Sequence, residues 1–371
     1  MRKLQYILLK SLVFSSVLFA AVSCERIFEG EQDCSTDSTK IKFEFRKHRQ
    51  ALQSVNGRVA DVFDSEVASV HLFVYDAESG QLVFEKFERT ENLKTEAEMN
   101  IGTGSDKCYM PVDLEPGTYK LVAWCGLDEN DQSNAFELDK TTRGTEEYEA
   151  CNVKLTENPA VPVHDGKFDA LFHGKVDNVI LTEPGEVIPL QLTKNTNDIA
   201  VWVQHLSASF GSGEYEVVYT DANGSMKFED NTLAGNEKLE YHAHTTSILS
   251  TETEYNGDLV QAGALVAHIS TSRLSAAHKE DAKLEVRNRS GETVFSIPFI
   301  KYLLEMQTFT SDGQYYLDCE DTYYCSFYLS GGGNSGGGGD DEDDEGERWF
   351  PARIIINNWV RVPDQTDSVG E

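Results

Sequence analysis

The chain alternates apolar and polar positions with a period of two and shows little helical striping. Ile41, Phe43 and Phe45 alternate with Lys42, Glu44 and Arg46, a spacing that predicts a strand with one wet face. Val67 to Tyr75 is apolar enough to predict a more buried strand. Ala77-Glu78-Ser79-Gly80 then supplies a turn, and Gln81 to Phe87 the returning arm of a hairpin. Cys108 to Leu114 and Thr118 to Trp124, joined by Glu115-Pro116-Gly117, predict a second hairpin. The reading for this half is an antiparallel β-sandwich.

Proline, histidine and glycine between Pro159 and Gly166 suggest a boundary. Beyond it, strands are predicted at Val187 to Leu192, Ile199 to His205, Glu214 to Tyr219, Leu259 to Ile269, Ala282 to Val286 and Thr293 to Phe299. Lys194 to Asp198 and Asp221 to Gly224 read as turns, Tyr302 to Phe309 as one short helix, and aromatic-rich Gln314 to Leu329 as a paired strand. Many short strands with turn signals predict a second sandwich and not an α/β enzyme. Residues 330–347 are glycine followed by acid, a composition expected to stay disordered. Calcium is the rival reading for those carboxylates, but EF-hand ligand spacing is absent. Arg353 to Val362 (RIIINNWVRV) then reads as a terminal strand.

The first residues follow other rules. Arg2, Lys3 and Lys10 precede an apolar run from Leu12 to Val22 that is too short to span a bilayer comfortably, the form of a signal peptide. Its end, Ala21-Val22-Ser23-Cys24, places small residues directly before a cysteine, as in a bacterial lipobox, with Ala21 where leucine is usual. Cys24 is therefore the expected acylation site, carrying palmitate-type chains; an ordinary secretory signal is the alternative. The expected layout is a signal peptide over 1–23, a tether over 24–38, one sandwich over 39–160 and a second over 161–371. Six cysteines remain: Cys34, Cys108, Cys125, Cys151, Cys319 and Cys325. An even set outside the cytoplasm predicts disulfides, with 15 possible pairings, and Cys319 with Cys325 could close a small loop. Metal binding competes, but no CxxC pair supports it.

With 63 acidic and 32 basic residues the formal charge is −31, which excludes a nucleic-acid binder. Apolar residues at 40% exclude wholesale disorder. A surface so acidic is repelled by anionic headgroups, so membrane attachment falls to lipid. Signatures of catalysis are missing: no Gly-x-Ser-x-Gly elbow, Walker loop or His-Glu-x-x-His occurs. His242 and His244 would share one face of a strand, without accompanying ligands at a diagnostic spacing. The expectation is a non-enzymatic protein without cofactor or metal.

Taken in order, several motifs resemble the FimB-type fimbrial anchoring subunits, the fimbrillin-related lipoproteins of Bacteroides and Porphyromonas relatives. They are the lipobox at Cys24 with Cys34 after it, the strand Ile41 to Phe45, and Val70-His71-Leu72-Phe73-Val74-Tyr75-Asp76. Leu114 to Trp124 (LEPGTYKLVAW), Leu192 to Ile199 (LTKNTNDI) and Ile355-Ile356-Asn357-Asn358-Trp359 follow. The resemblance implies an all-β protein of two transthyretin-like antiparallel β-sandwich domains at the base of a surface fimbria. It would be lipid-anchored in the outer membrane and would partner fimbrillin stalk subunits.

In that family, stalk subunits lose an N-terminal strand by cleavage after an arginine, and a neighbour's C-terminal strand fills the groove. An anchor keeps its lipid and its first strand and so ends growth. Here the donor-strand candidates are Ile354, Ile355, Ile356, Trp359 and Val360, and the Gly/acid insertion leaves pairing in cis or in trans open. Two rivals stand beside the anchor: a fimbrial tip or accessory adhesin, and a surface glycan-binding lipoprotein. The latter needs an exposed aromatic platform, for which Trp124, Trp202, Trp349 and Trp359 are the tryptophans available.

Overall fold

A computed structural model describes residues 38–45, 52–55, 58–61, 63–127, 135–138, 152–155, 163–205, 212–235, 237–255, 258–306, 313–330, 350–357 and 359–361. The expected signal peptide over 1–23, Cys24, Cys34, Cys151 and residues 331–347 of the Gly/acid insertion lie outside them. The first part of the chain forms β1 (Thr39–Phe45), β2 (Leu52–Val55), β3 (Arg58–Asp61), helix α1 (Phe63–Glu66), β4 (Ser69–Asp76), β5 (Leu82–Arg89), β6 (Tyr109–Val112) and β7 (Gly117–Cys125). There follow β8 (Phe136–Leu138), β9 (Asn152–Leu155), β10 (Val163–His164), β11 (Phe172–Leu181), β12 (Val187–Lys194), β13 (Thr196–His205), β14 (Tyr215–Asp221), β15 (Ser225–Lys227) and β16 (Leu239–His242). The last part contributes β17 (Thr245–Tyr255), β18 (Asp258–Ser272), β19 (Lys283–Asn288), β20 (Thr293–Pro298), α2 (Phe299–Glu305), α3 (Gly313–Asp318), β21 (Thr322–Ser330), β22 (Phe350–Ile356) and β23 (Trp359–Arg361).

The fold is all-β, as the alternation predicts. Seven strands form the first sheet in the order β5-β4-β7-β11-β12-β1-β6. Ile41, Phe43, Leu72, Val74, Leu121, Met110 and Leu190, from strands across its whole width, meet in one core. This unit is thus one sheet curled around its apolar face. A bulge between Val176 and Val179, with Asn178 at φ 56°, lets β11 bend. The second unit packs a six-stranded sheet, β17-β18-β13-β21-β22-β23, on a five-stranded one, β10-β16-β14-β19-β20. Val203, Leu265 and Phe327 face Tyr219, Leu284 and Phe295 in its core, and the Phe295 and Phe327 rings lie 5.2 Å apart.

Several expectations change. Most ladders are antiparallel, but β1–β12, β13–β21 and β10–β16 run parallel. The Val67–Phe87 hairpin forms as β4 and β5, with Gly80 at φ 71° in its turn. The Pro116-Gly117 turn joins strands that do not pair: β6 lies against β1, and β7 between β4 and β11. Residues 159–166 do not end the first sheet, because β11 and β12 complete it. Lys194 to Asp198 is no hairpin turn. Only Asn195 separates β12 from β13, and there the chain crosses from one sheet to the other. The helix lies earlier, at Phe299–Glu305, and Gly313–Asp318 is helical before β21 begins.

The two units are welded together. Phe73, Tyr75, Val122 and Trp124, on the far face of the first sheet, join the core of the second unit. Trp124 donates through Nε1 to the Phe228 carbonyl at 2.9 Å, and Phe73 meets the Phe228 ring edge-on at 4.8 Å. A small sheet, β15-β9-β8, draws on both halves of the chain. Arg273 donates to Asn195 Oδ1 (2.9 Å) and Asp318 Oδ1 (2.6 Å), and Asn231 also donates to Asn195 Oδ1 (3.0 Å). All four residues are buried. Every such bond replaces one to water, so the network fixes geometry more than it adds net stability.

Deeper in the second unit, His278 donates from Nδ1 to Asp221 Oδ1 at 2.6 Å, and Tyr219 donates to Asp221 Oδ2 at 2.8 Å. The hydrogen bond from His278 to this fully buried carboxylate holds the imidazole above its ordinary value. A raised histidine contributes fully below its unfolded pKa, and the contribution is lost as pH climbs through the folded one. The melting temperature is therefore expected to fall as pH rises above the ordinary histidine value of 6.5, and His278→Gln to lack that decline in parallel thermal melts.

Candidate assembly interface

β1 is the structural centre of the site. It lies between β12, in parallel register from Lys40↔Val187 to Phe45↔Leu192, and β6, in antiparallel register from Thr39↔Val112 to Lys42↔Tyr109. Both its edges are thus satisfied. Ile41 and Phe43 are fully buried, and the Phe43 ring stacks on Phe63 at 5.9 Å. Lys40 is buried too, its Nζ donating to the carbonyls of Ser38 (2.8 Å) and Gly185 (3.3 Å). Truncating a buried phenylalanine costs about 3–5 kcal/mol, so β1 is expelled only at large cost.

The C-terminal segment differs from the expected single strand. The chain doubles back after β22 at Asn357, which sits at φ 46°, and β23 pairs with β22 as a hairpin. Asn357 donates its backbone N–H to Tyr324 O at 2.9 Å, and the Tyr324 N–H returns a bond to Asn357 Oδ1 at 2.8 Å. β22 pairs in cis with β21 over Phe350–Ile356. Of the donor-strand candidates, Ile354 and Ile356 are buried in this chain's own core, and Ile355 is half-buried on the opposite face. Trp359 and Val360 lie on β23, the last strand of the sheet, and their side chains fall outside the described residues. The far edge of β23 carries no ladder partner among the described residues.

The cysteine expectation is corrected for the described residues. Cys108, Cys125, Cys319 and Cys325 are all buried; Cys125 and Cys325 are free thiols, so Cys319 with Cys325 closes no loop. One ends a helix and the other points into the core from β21. Burial pushes the thiols of Cys125 and Cys325 well above their ordinary value, which suppresses thiolate chemistry. Alkylation with iodoacetamide is expected to be slow at these four positions until the protein is unfolded, as peptide mapping would show.

The paired-histidine reading also changes. β16 ends at His242, so His244 does not share its strand; His242 faces Glu216 and Glu240, at 3.3 and 3.6 Å. Among the described residues no group of three or more potential ligands could hold a metal ion, and no helix is long and apolar enough to cross a membrane. The sequence missed the role of LTKNTNDI. Asn195 is fully buried and Asn197 nearly so, and Asn197 donates to Ser272 O at 3.2 Å. Two asparagines in a short polar stretch between two apolar strands were the available signal.

Comparison with known proteins agrees with this geometry. A provisionally assigned adhesin from Bacteroides thetaiotaomicron superposes with a TM-score of 0.66 at 23% identity, covering 88% of this chain and 98% of that one. A provisionally assigned adhesin from Bacteroides ovatus gives 0.61 at 18%, covering 89% and 96%. The fimbrial anchor protein Mfa2 from Porphyromonas gingivalis gives 0.52 at 14%, covering 88% and 99%. No curated protein sequence matches. The sequence profile of the fimbrillin-A associated anchor proteins Mfa1 and Mfa2 matches residues 31–363, nearly the whole of the chain after Cys24, and the chain belongs to that family.

Proposed function

We propose that this chain is a fimbrial anchor: a lipoprotein held in the outer membrane through acylated Cys24, which attaches a fimbria and terminates its growth. The observation that carries the reading is β1. A subunit able to accept a neighbour's strand needs an open groove. Here the first strand occupies the position between β12 and β6 and buries Ile41 and Phe43 there. Membership of the anchor family supports the same reading. Because β22 is engaged on both sides, contact with a fimbrillin stalk subunit falls to the outer edge of β23, where Trp359 and Val360 reside.

Locking β1 in place tests this. Thr39 faces Val112 across the β1–β6 ladder, so Thr39→Cys with Val112→Cys would tie the strand to its neighbour by a disulfide. The locked protein is expected to anchor fimbriae of normal length. If locking abolishes attachment while the reduced form restores it, β1 must leave the sheet during assembly and the terminator reading is wrong.

A further inference from the structure

An open sheet edge offers its unpaired N–H and C=O groups to any other chain, and proteins blunt such edges. Most edges here are blunted. β5 carries Lys86 and Arg89 and a bulge opposite Val74 and Tyr75. β6 is four residues long with Pro111 inside it, β10 has two residues and β23 three. β20 is bulged opposite Val286 and Arg287 and ends at Pro298. β17 is the exception. It closes the six-stranded sheet at the end opposite β23, and its outer edge carries no ladder partner among the described residues. Its 11 residues, TTSILSTETEY, include no lysine, arginine or proline. Its ladder with β18 runs unbulged from Thr245↔His268 to Tyr255↔Asp258. The strand also overhangs. β13 pairs with β18 only as far as Ala264, so the distal half of β17 and β18 continues as a two-stranded ribbon, which is marginal on its own in water. At its root Thr245 to Leu249 are all exposed, Ile248 by 37% and Leu249 by 49%. Ile248 is level with Leu265, which is buried in the core, so cover from the second sheet ends at β18.

We propose that β17 pairs with β17 of a second copy of this chain, antiparallel and about a two-fold axis, so that two six-stranded sheets become one. Full overlap of Thr245–Tyr255 puts the axis at Ser250, the middle residue. Thr246 is then opposite Glu254, Ile248 opposite Glu252, and Leu249 opposite Thr251. This register makes the most backbone pairs, opposes no two carboxylates and brings the exposed Ile248 and Leu249 beside the axis. An axis at Glu252 would set that residue against itself, and like charges directly opposite destabilise a ladder. A basic strand from another protein fits less well: it answers Glu252 and Glu254 but not the uncharged half from Thr245 to Thr251. The two partners differ in their response to salt. Two copies of a chain of formal charge −31 repel each other, so screening strengthens self-pairing and weakens pairing with a basic strand. The joint leaves β23 free at the far end of each sheet, and it stands or falls independently of anchoring.

The test combines thiol crosslinking with sedimentation velocity on the mature protein. In Ser250→Cys the two thiols face each other across the axis, and oxidation is expected to yield a disulfide-linked dimer on a non-reducing gel, above the wild-type background. Ser247 faces Thr253 in this register, so two copies of Ser247→Cys hold their thiols roughly 20 Å apart and are expected to yield none. Sedimentation of the wild type needs no variant to fold, and is expected to show a dimer whose fraction rises with salt. Ser250→Lys and Ser250→Glu each oppose like charges on the axis, and both are expected to weaken that dimer about fivefold with unchanged melting temperature. Equal crosslinking of Ser250→Cys and Ser247→Cys overturns the proposal, as does a wild type that stays monomeric at every salt concentration. If the chain alone is monomeric and Ser250→Cys crosslinks to a purified stalk subunit carrying its own thiol, the edge belongs to that partner and the second copy is excluded.

Discussion

Trp124→Ala is expected to destabilise the whole chain, not one half of it, by about 3–5 kcal/mol. Trp124 is fully buried on the face of the first sheet that packs into the second unit. The substitution opens a cavity between the units and also removes the indole's hydrogen bond to the Phe228 carbonyl, 2.9 Å long. Trp124→Phe keeps most of the apolar volume and isolates the lost hydrogen bond, at roughly 1–3 kcal/mol. Urea titrations followed by fluorescence and by circular dichroism would check this. Coincident transitions shifted to lower urea are expected; separate transitions, only one of them shifted, would mean that the units fold independently.

The second large effect is acid sensitivity centred on His173. Its ring lies 4.8 Å from Trp124, and its Nε2–H donates to the Glu229 carbonyl at 3.0 Å. Burial, reinforced by the nearby Arg273 charge, pushes its pKa down to about 3. The ring is therefore neutral in the fold, whereas the unfolded chain takes up a proton near pH 6.5. With a depressed histidine, stability is complete above the unfolded value and is lost as pH falls through the interval toward the folded one. The slope is about 1.4 kcal/mol per pH unit between those limits. Carboxylates join in further down, so the window from about pH 6.5 to 5 is diagnostic. In that window His173→Gln is expected to remove close to one proton's worth of slope from the denaturation free energy. An unchanged slope would contradict neutral burial of the ring.

Much of the local structure was legible because alternation is a local property. Ile41 and Phe43 announce their buried face, and Gly80 marks a turn that only a residue tolerant of positive φ fits well. Pairing was less legible. Pro116-Gly117 dictates a reversal of direction but not the neighbour, and β7 finds β4 and β11, which are distant in sequence. Asn357-Asn358 was a hairpin signal inside an apolar run, hidden because the residues on either side read as one continuous strand. Asn195 stood out only as an asparagine between two strands; its worth depends on Arg273, Asn231 and Asp318, which only the folded chain brings together. Of the site, β1 was visible in the sequence. That both its edges are paired was not.

The central claim, a lipid-held anchor, is tested most directly at Cys24. Cells carrying Cys24→Ala would be compared with the wild type by fractionation and immunogold microscopy. The account predicts that the variant sheds fimbriae into the medium and that these are longer than normal. Fimbriae that remain attached and of ordinary length would contradict it.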